Sequence, residues 1–179
     1  MLYKRLLGEI FSWSKALLFA LLISIIVSAF VLQPFTVSGS SMEPTFDGKD
    51  PTNKDKIGDR VLLYKSGYLL GEKPKYNDIV IIDSRVNKNR GIKDKLSESP
   101  IVSFIFGTND TNYRLWIKRI IGKEGDTLEF KDGKVYRNGE ELIEEYIKED
   151  MAFPFETIVV PEKHVFVMGD NRNGSRDSR

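Results

Sequence analysis

The chain has no cysteine and a single histidine, His164, among 179 residues. Disulfides, thiol nucleophiles and thiolate metal sites are thereby excluded. One imidazole cannot supply the two or three nitrogen or sulfur ligands a zinc site ordinarily uses, so neither a metal nor a cofactor is expected. An excess of one charge is missing too. The 27 Lys/Arg and 26 Asp/Glu leave a formal +1, and no nucleic-acid partner is expected from such a balance. No internal repeat is visible.

What is present is a long apolar run, "ALLFALLISIIVSAFVL", Ala16 to Leu32. It carries no charge and would reach about 25 Å as a helix, the short end of a membrane span. Phe11, Trp13 and Phe35 suit the two interfaces. Lys4, Arg5 and Lys15 precede the run, which puts residues 1–15 in the cytoplasm and the rest outside by the positive-inside rule. The rival is a cleaved secretory signal, with Val37-Ser38-Gly39 as a loose small-x-small site. The run is longer than a signal core, so an uncleaved anchor over 16–34 is expected, in contact with membrane lipid.

Beyond Pro34 the periodicity changes from helix to sheet. Arg60–Lys65, Asp78–Asp83, Tyr113–Gly122, Asp126–Phe130, Lys134–Gly139, Thr157–Val160 and His164–Gly169 are short and rich in Val, Ile and aromatics, bounded by Gly, Asp, Asn or Pro. They read as strands of an antiparallel domain spanning 35–179, so the fold class is mainly β. Asp132-Gly133 signals a two-residue hairpin, and Asn138-Gly139 a second turn. Asp47–Lys56 reads as a polar loop. Ser84–Pro100 carries five Lys/Arg against two acids without periodicity, and reads as a solvated insertion over about 84–112. Its alternative is contact with anionic lipid headgroups.

"TVSGSSMEPTF", Thr36 to Phe46, offers Ser40 and Ser41 as nucleophiles, although Ser/Gly/Pro clusters are more often plain loops. A serine needs a base within hydrogen-bond reach. His164 starts a strand and fits a strand-edge role. A lysine serves only when neutral, which requires burial to lower its pKa by roughly 3 units. Lys118 in "RLWIKRIIG" stands in an apolar strand, sharing a face with Trp116 and Ile120, while Ile117, Arg119 and Ile121 take the other. The bland reading of that Lys-Arg pair is edge protection. "MGDNRNGSRDSR", Met168 to Arg179, reads as a tight turn with ion pairs, or simply as a charged surface loop.

In this order, "GSSMEPT", "GDRVLLYK", "DIVII", "IKRIIGKEGD", "DGKVYRNG" and "GDNRNGSRDSR" behind an N-terminal anchor resemble the bacterial type I signal peptidases, the membrane-anchored Ser/Lys proteases. The single anchor is similar to Gram-positive forms. The resemblance implies Ser41 as nucleophile, Lys118 as general base and Ser175 as the hydroxyl that orients the lysine. It implies structural ion pairs at Asp170, Asp177 and Arg179, and substrate pockets at Phe35, Val37, Gly39, Met42, Trp116 and Ile117. The implied activity is removal of signal peptides from secreted preproteins after small-x-small sites, on the outer side of the cell membrane. Gly39 replaces the hydroxyl residue some relatives use as an oxyanion donor, Glu124 stands where a proline is common, and relatives usually continue beyond Arg179. Three further readings are a non-catalytic membrane-anchored relative acting as an assembly factor, a self-cleaving Ser/Lys protease, and a hydrolase using His164. The assembly factor would be marked by loss of Ser41 or Lys118, and both are present.

Overall fold

The computed structural model describes residues 2–50, 52, 53, 55–83, 91, 96, 99, 101, 102, 104 and 115–179. Most of the insertion expected over 84–112 lies outside the described residues, as do Tyr113 and Arg114.

Helix α1 runs from Leu2 to Phe30, starting well before the apolar run and stopping short of its end. An exposed Arg5–Glu9 pair at i,i+4 supports its first turns, a contribution of a few tenths of a kcal/mol. Proline explains the early stop. Pro34 has no N–H to donate and biases Gln33 toward extended backbone, so Leu32–Thr36 becomes strand β1 instead of continuing the helix. The helix residues Tyr3–Phe30 include an 18-residue window of mean hydropathy 2.2 and are long and apolar enough to cross a membrane. Leu17, Leu18, Phe19 and Leu22 are exposed all around it, as expected of a helix whose solvent is lipid.

Strand β2 (Arg60–Tyr64) pairs with β1 in a two-stranded sheet, and one short helical turn, α2 (Ser66–Leu69), follows it. Then come β3 (Ile79–Asp83), β4 (Leu115–Lys123), β5 (Thr127–Lys131), β6 (Lys134–Arg137), β7 (Glu140–Glu141), β8 (Ile158–Val159) and β9 (Val165–Met168). These form a three-stranded sheet in the order β3-β4-β9 and a four-stranded sheet in the order β7-β6-β5-β8, with every described pairing among them antiparallel. The chain divides into two compact units, one holding α1 and α2, the other β3 to β9 with the segment Pro34–Val61.

Within the second unit, Ile121, Leu128, Val135, Met151, Val160, Phe166 and Met168 make the core, flanked by Phe130 and Phe155. The Asp132-Gly133 turn has φ of 50° and 82°, the left-handed pair that matches the twist of hairpin β5–β6. Asn138-Gly139, at 55° and 84°, turns β6 into β7, where Lys134 pairs with Glu141 across the strands.

Two features of this scaffold matter for the site. The pairing of β9 with β4 begins at Arg119 opposite Met168, whereas β3 pairs with β4 from Leu115 onward. Leu115 to Lys118 therefore have a strand neighbour on one side only, among the described residues. Residues 37–39 lie against the loop that leads to β2. Val37 N donates to Asp59 O at 2.8 Å, Lys49 N to Val37 O at 2.9 Å, and Gly39 N to Lys49 O at 3.1 Å.

Candidate active site

Strand alternation separates the two cations of the Lys-Arg pair. Arg119 points to the core side, where its guanidinium lies 3.9 Å from the Tyr146 ring centre. Lys118 points to the opposite face, 6.0 Å from the Trp116 ring. Its Nζ is 2.9 Å from Ser41 Oγ and 2.9 Å from Ile117 O. Lys118 is 3% exposed and makes no ion pair among the described residues. Burial pushes its amine below the ordinary lysine value, and the fields of Asp177 and Asp170 offset this only in part.

A turn that is held from several directions carries Ser41. Glu43 N donates to Ser40 O at 3.1 Å, and Asn171 N donates to Ser41 O at 3.1 Å. Asn171 Nδ2 donates to Ser40 O at 3.1 Å. The Glu43 carboxylate receives both Lys56 and Lys148, each at 3.0 Å, and these two cations hold it below the usual carboxylate range. Ser40 is exposed, whereas Ser41 is half-buried. Among the described residues the Ser41 N–H donates to no other group.

Gly39 has a φ of +78°, and a Cβ built there would meet nothing within 4 Å. Backbone conformation, not lack of room, thus makes glycine suit this position. Gly169 is the reverse case, because a Cβ there would overlap both Ser41 O and Ser175 Oγ. The close approach brings the last motif against the Ser41 turn.

Arg119 donates to Asp170 twice, at 2.8 and 2.6 Å, and Thr45 Oγ1 donates to Asp170 Oδ2 at 2.5 Å. Asp170 is fully buried. Arg179 pairs with Asp177 at 2.7 Å, and Gly169 N donates to Asp177 at 3.0 Å. Burial alone would raise the Asp177 carboxyl, but Arg179 and the amide hold it below the usual value. Asp170, Asp177 and Arg179 therefore do form ion pairs.

The bond expected from Ser175 to the lysine is not made. The Lys118 amine bonds Ser41 and Ile117 O, whereas the buried Ser175 Oγ makes no bond to the amine and lies on the side of Asp177. The hydroxyl is instead packed over Gly169.

Beside the pair lies a cavity of about 120 Å³, with Phe35, Val37, Met42, Trp116 and Ile117 in its wall together with Ser41 and Lys118. It is small beside the roughly 300–1,000 Å³ of drug-sized pockets. Gly39, the remaining expected pocket residue, does not line it. Thr45, Asn171 and Gly169 were not singled out from the sequence, since each reads as an ordinary turn residue. Nor was the buried chain from Arg172 through Glu144, at 2.6 Å, to Tyr146 OH, at 2.7 Å. His164, at the start of β9, bonds Glu162 O and not Ser41. Among the described residues no cluster suits a metal ion.

The profile of a family described as "Signal peptidase, peptidase S26" matches residues 10–179. Signal peptidase I of Bacillus licheniformis is 32% identical over 182 residues, covering 96% of this chain and 79% of that protein. Signal peptidase I T of Bacillus subtilis strain 168 is 30% identical over 186 residues, covering 98% and 78%. Thylakoidal processing peptidase 1 of Arabidopsis thaliana is 34% identical over 165 residues, covering 92% of this chain and 42% of that longer protein. Among solved structures, a signal peptidase I from Enterococcus faecalis V583 aligns with a TM-score of 0.40 at 28% identity, covering 59% of this chain and 84% of that one.

Proposed function

The chain belongs to the signal peptidase family, peptidase S26, and is a serine protease of signal-peptide processing; we propose that it cuts secreted preproteins after small-x-small sites, with Ser41 as nucleophile and neutral Lys118 as base. The observation that carries this reading is the 2.9 Å approach of Lys118 Nζ to Ser41 Oγ. It is supported by the burial that favours the uncharged amine.

In the neutral amine the lone pair accepts from the Ser41 hydroxyl while an N–H donates to Ile117 O. Ser41 then attacks the scissile carbonyl, and Lys118 holds the proton before passing it to the leaving amine. The open Ser41 N–H donates to the developing oxyanion. The acyl-enzyme is cleared by a water that the same lysine deprotonates.

The substrate is read as an added strand between residues 37–39 and the half-paired stretch Leu115–Lys118. Val37 and Gly39 spend their backbone groups on the Asp47–Asp59 side, so alternation turns Ser38 toward the peptide. Phe35, Val37, Met42, Trp116 and Ile117 then leave room for a small side chain only. Helix α1 anchors the chain in the membrane, with Lys4, Arg5 and Lys15 on the cytoplasmic side and the peptidase unit outside. This fixes where preproteins are met.

The test is cleavage of a preprotein ending in Ala-x-Ala, with the new N-terminus mapped by sequencing. Ser41→Ala and Lys118→Ala should each slow cleavage by at least roughly a hundredfold, whereas Ser40→Ala should retain most of the rate. Full activity in Ser41→Ala or Lys118→Ala would overturn the assignment.

A further inference from the structure

A second cavity, of about 470 Å³, is lined by Lys73, Pro74, Tyr76, Lys123, Glu124, Lys163, His164 and Val165. It shares no lining residue with the cavity beside Ser41. Three ammonium groups and one carboxylate border it. None of the three lysines forms an ion pair among the described residues.

The cavity is also preorganised. Tyr76 OH donates to the Asp126 carboxylate at 2.9 Å, which fixes the ring. Lys123 Nζ sits 3.9 Å from the centre of that ring. The Glu124 carboxylate accepts the Lys163 backbone N–H at 2.8 Å and, among the described residues, pairs with no lysine ammonium. Lys163 itself has a φ of 60°, a left-handed conformation that is strained for a lysine. Strain of this kind gathers where a fold holds a group for a purpose.

We propose that this cavity binds a phosphate group carried on an organic ligand. Lysines serve phosphate as point charges, and Lys73, Lys123 and Lys163 supply three against one carboxylate. The volume falls within the roughly 300–1,000 Å³ of small-ligand pockets and exceeds what a bare phosphate fills. Pro74 and Val165 give an apolar wall for the part that bears the phosphate. A phospholipid headgroup and a soluble phosphate ester share this chemistry.

His164 is the only histidine in the chain and lines the cavity, so its ring NMR signal is a unique reporter. The full chain in dodecyl maltoside micelles, which carry no phosphate, is titrated with glycerol 1-phosphate, with sodium chloride of equal ionic strength as control. The His164 signal should shift saturably with the phosphate ester and not with chloride. A Lys123→Gln/Lys163→Asn variant, in which Asn tolerates the left-handed backbone, should bind at least about tenfold more weakly while cleaving preprotein at the unaltered rate. Nanodiscs containing phosphatidylglycerol distinguish the sources. A His164 signal already displaced there, and no longer moved by the ester, assigns the site to lipid, whereas an undisplaced signal assigns it to a soluble ester. The proposal is overturned by no saturable shift in the phosphate-free micelles, by a shift that chloride reproduces, or by one the double variant leaves unchanged.

Discussion

Lys118 occupies a position that is unfavourable for a charge and useful for a base. At neutral pH its burial disfavours the protonated form, so the folded chain binds this proton less readily than the unfolded chain does. Stability therefore rises with pH between the lowered folded pKa and the ordinary lysine value near 10.4. Replacing the amine with an apolar side chain of similar length removes that cost. Lys118→Met should accordingly lose cleavage yet melt higher than the native chain at pH 7, with the difference shrinking as pH approaches 10. Thermal melts across that range would check this, and a variant less stable at every pH would contradict it. Ser175 sharpens the picture at the same scale. The family resemblance implies a bond from Ser175 to the lysine, but in the structure the hydroxyl lies against Gly169.

At the scale of elements, β4 joins the site to the core. Lys118 faces Ser41 while the adjacent Arg119 is clamped by Asp170, Thr45 and the Tyr146 ring. Removing one partner of a buried pair leaves an uncompensated charge, which costs about 3–5 kcal/mol. Asp170→Ala should lower stability by that order in urea unfolding, and Arg119→Met with Asp170→Leu should lose less than the sum of the two single changes. Strictly additive losses would sink this account. The strands of this scaffold were largely readable from period-two patterning and turn residues, because each half-buried strand carries its own apolar face. β1 was not, since its first residue, Leu32, still belongs to the apolar run and only Pro34 within the strand marks the change. Two-residue β7 was missed as well. Its Glu-Glu sequence has no apolar signal, and the Asn138-Gly139 turn with the Lys134–Glu141 pair creates it. Ser41 and Lys118 were legible as a serine near a turn and a cation inside an apolar strand. Thr45 and Asn171 were not, because their role depends on contacts between segments more than a hundred residues apart.

For the whole molecule, the proposed function assigns location to the helix that is long and apolar enough to cross a membrane and chemistry to the β-rich unit holding Ser41 and Lys118. Residues 2–30 are expected to retain the full chain in the membrane pellet after alkaline carbonate extraction, and deleting them should move it to the supernatant. Retention of the shortened chain would show that another part of the protein holds it there. In the proposed mechanism a neutral lysine, not the lone histidine, activates Ser41. That activation is tested most directly by the pH profile of kcat/KM for preprotein cleavage, measured for the native chain and for His164→Ala. The rate should rise with pH through one apparent pKa below the ordinary lysine value, with the same profile in both proteins. A profile flat into the acid range, or one abolished by His164→Ala, would contradict the Ser41–Lys118 assignment.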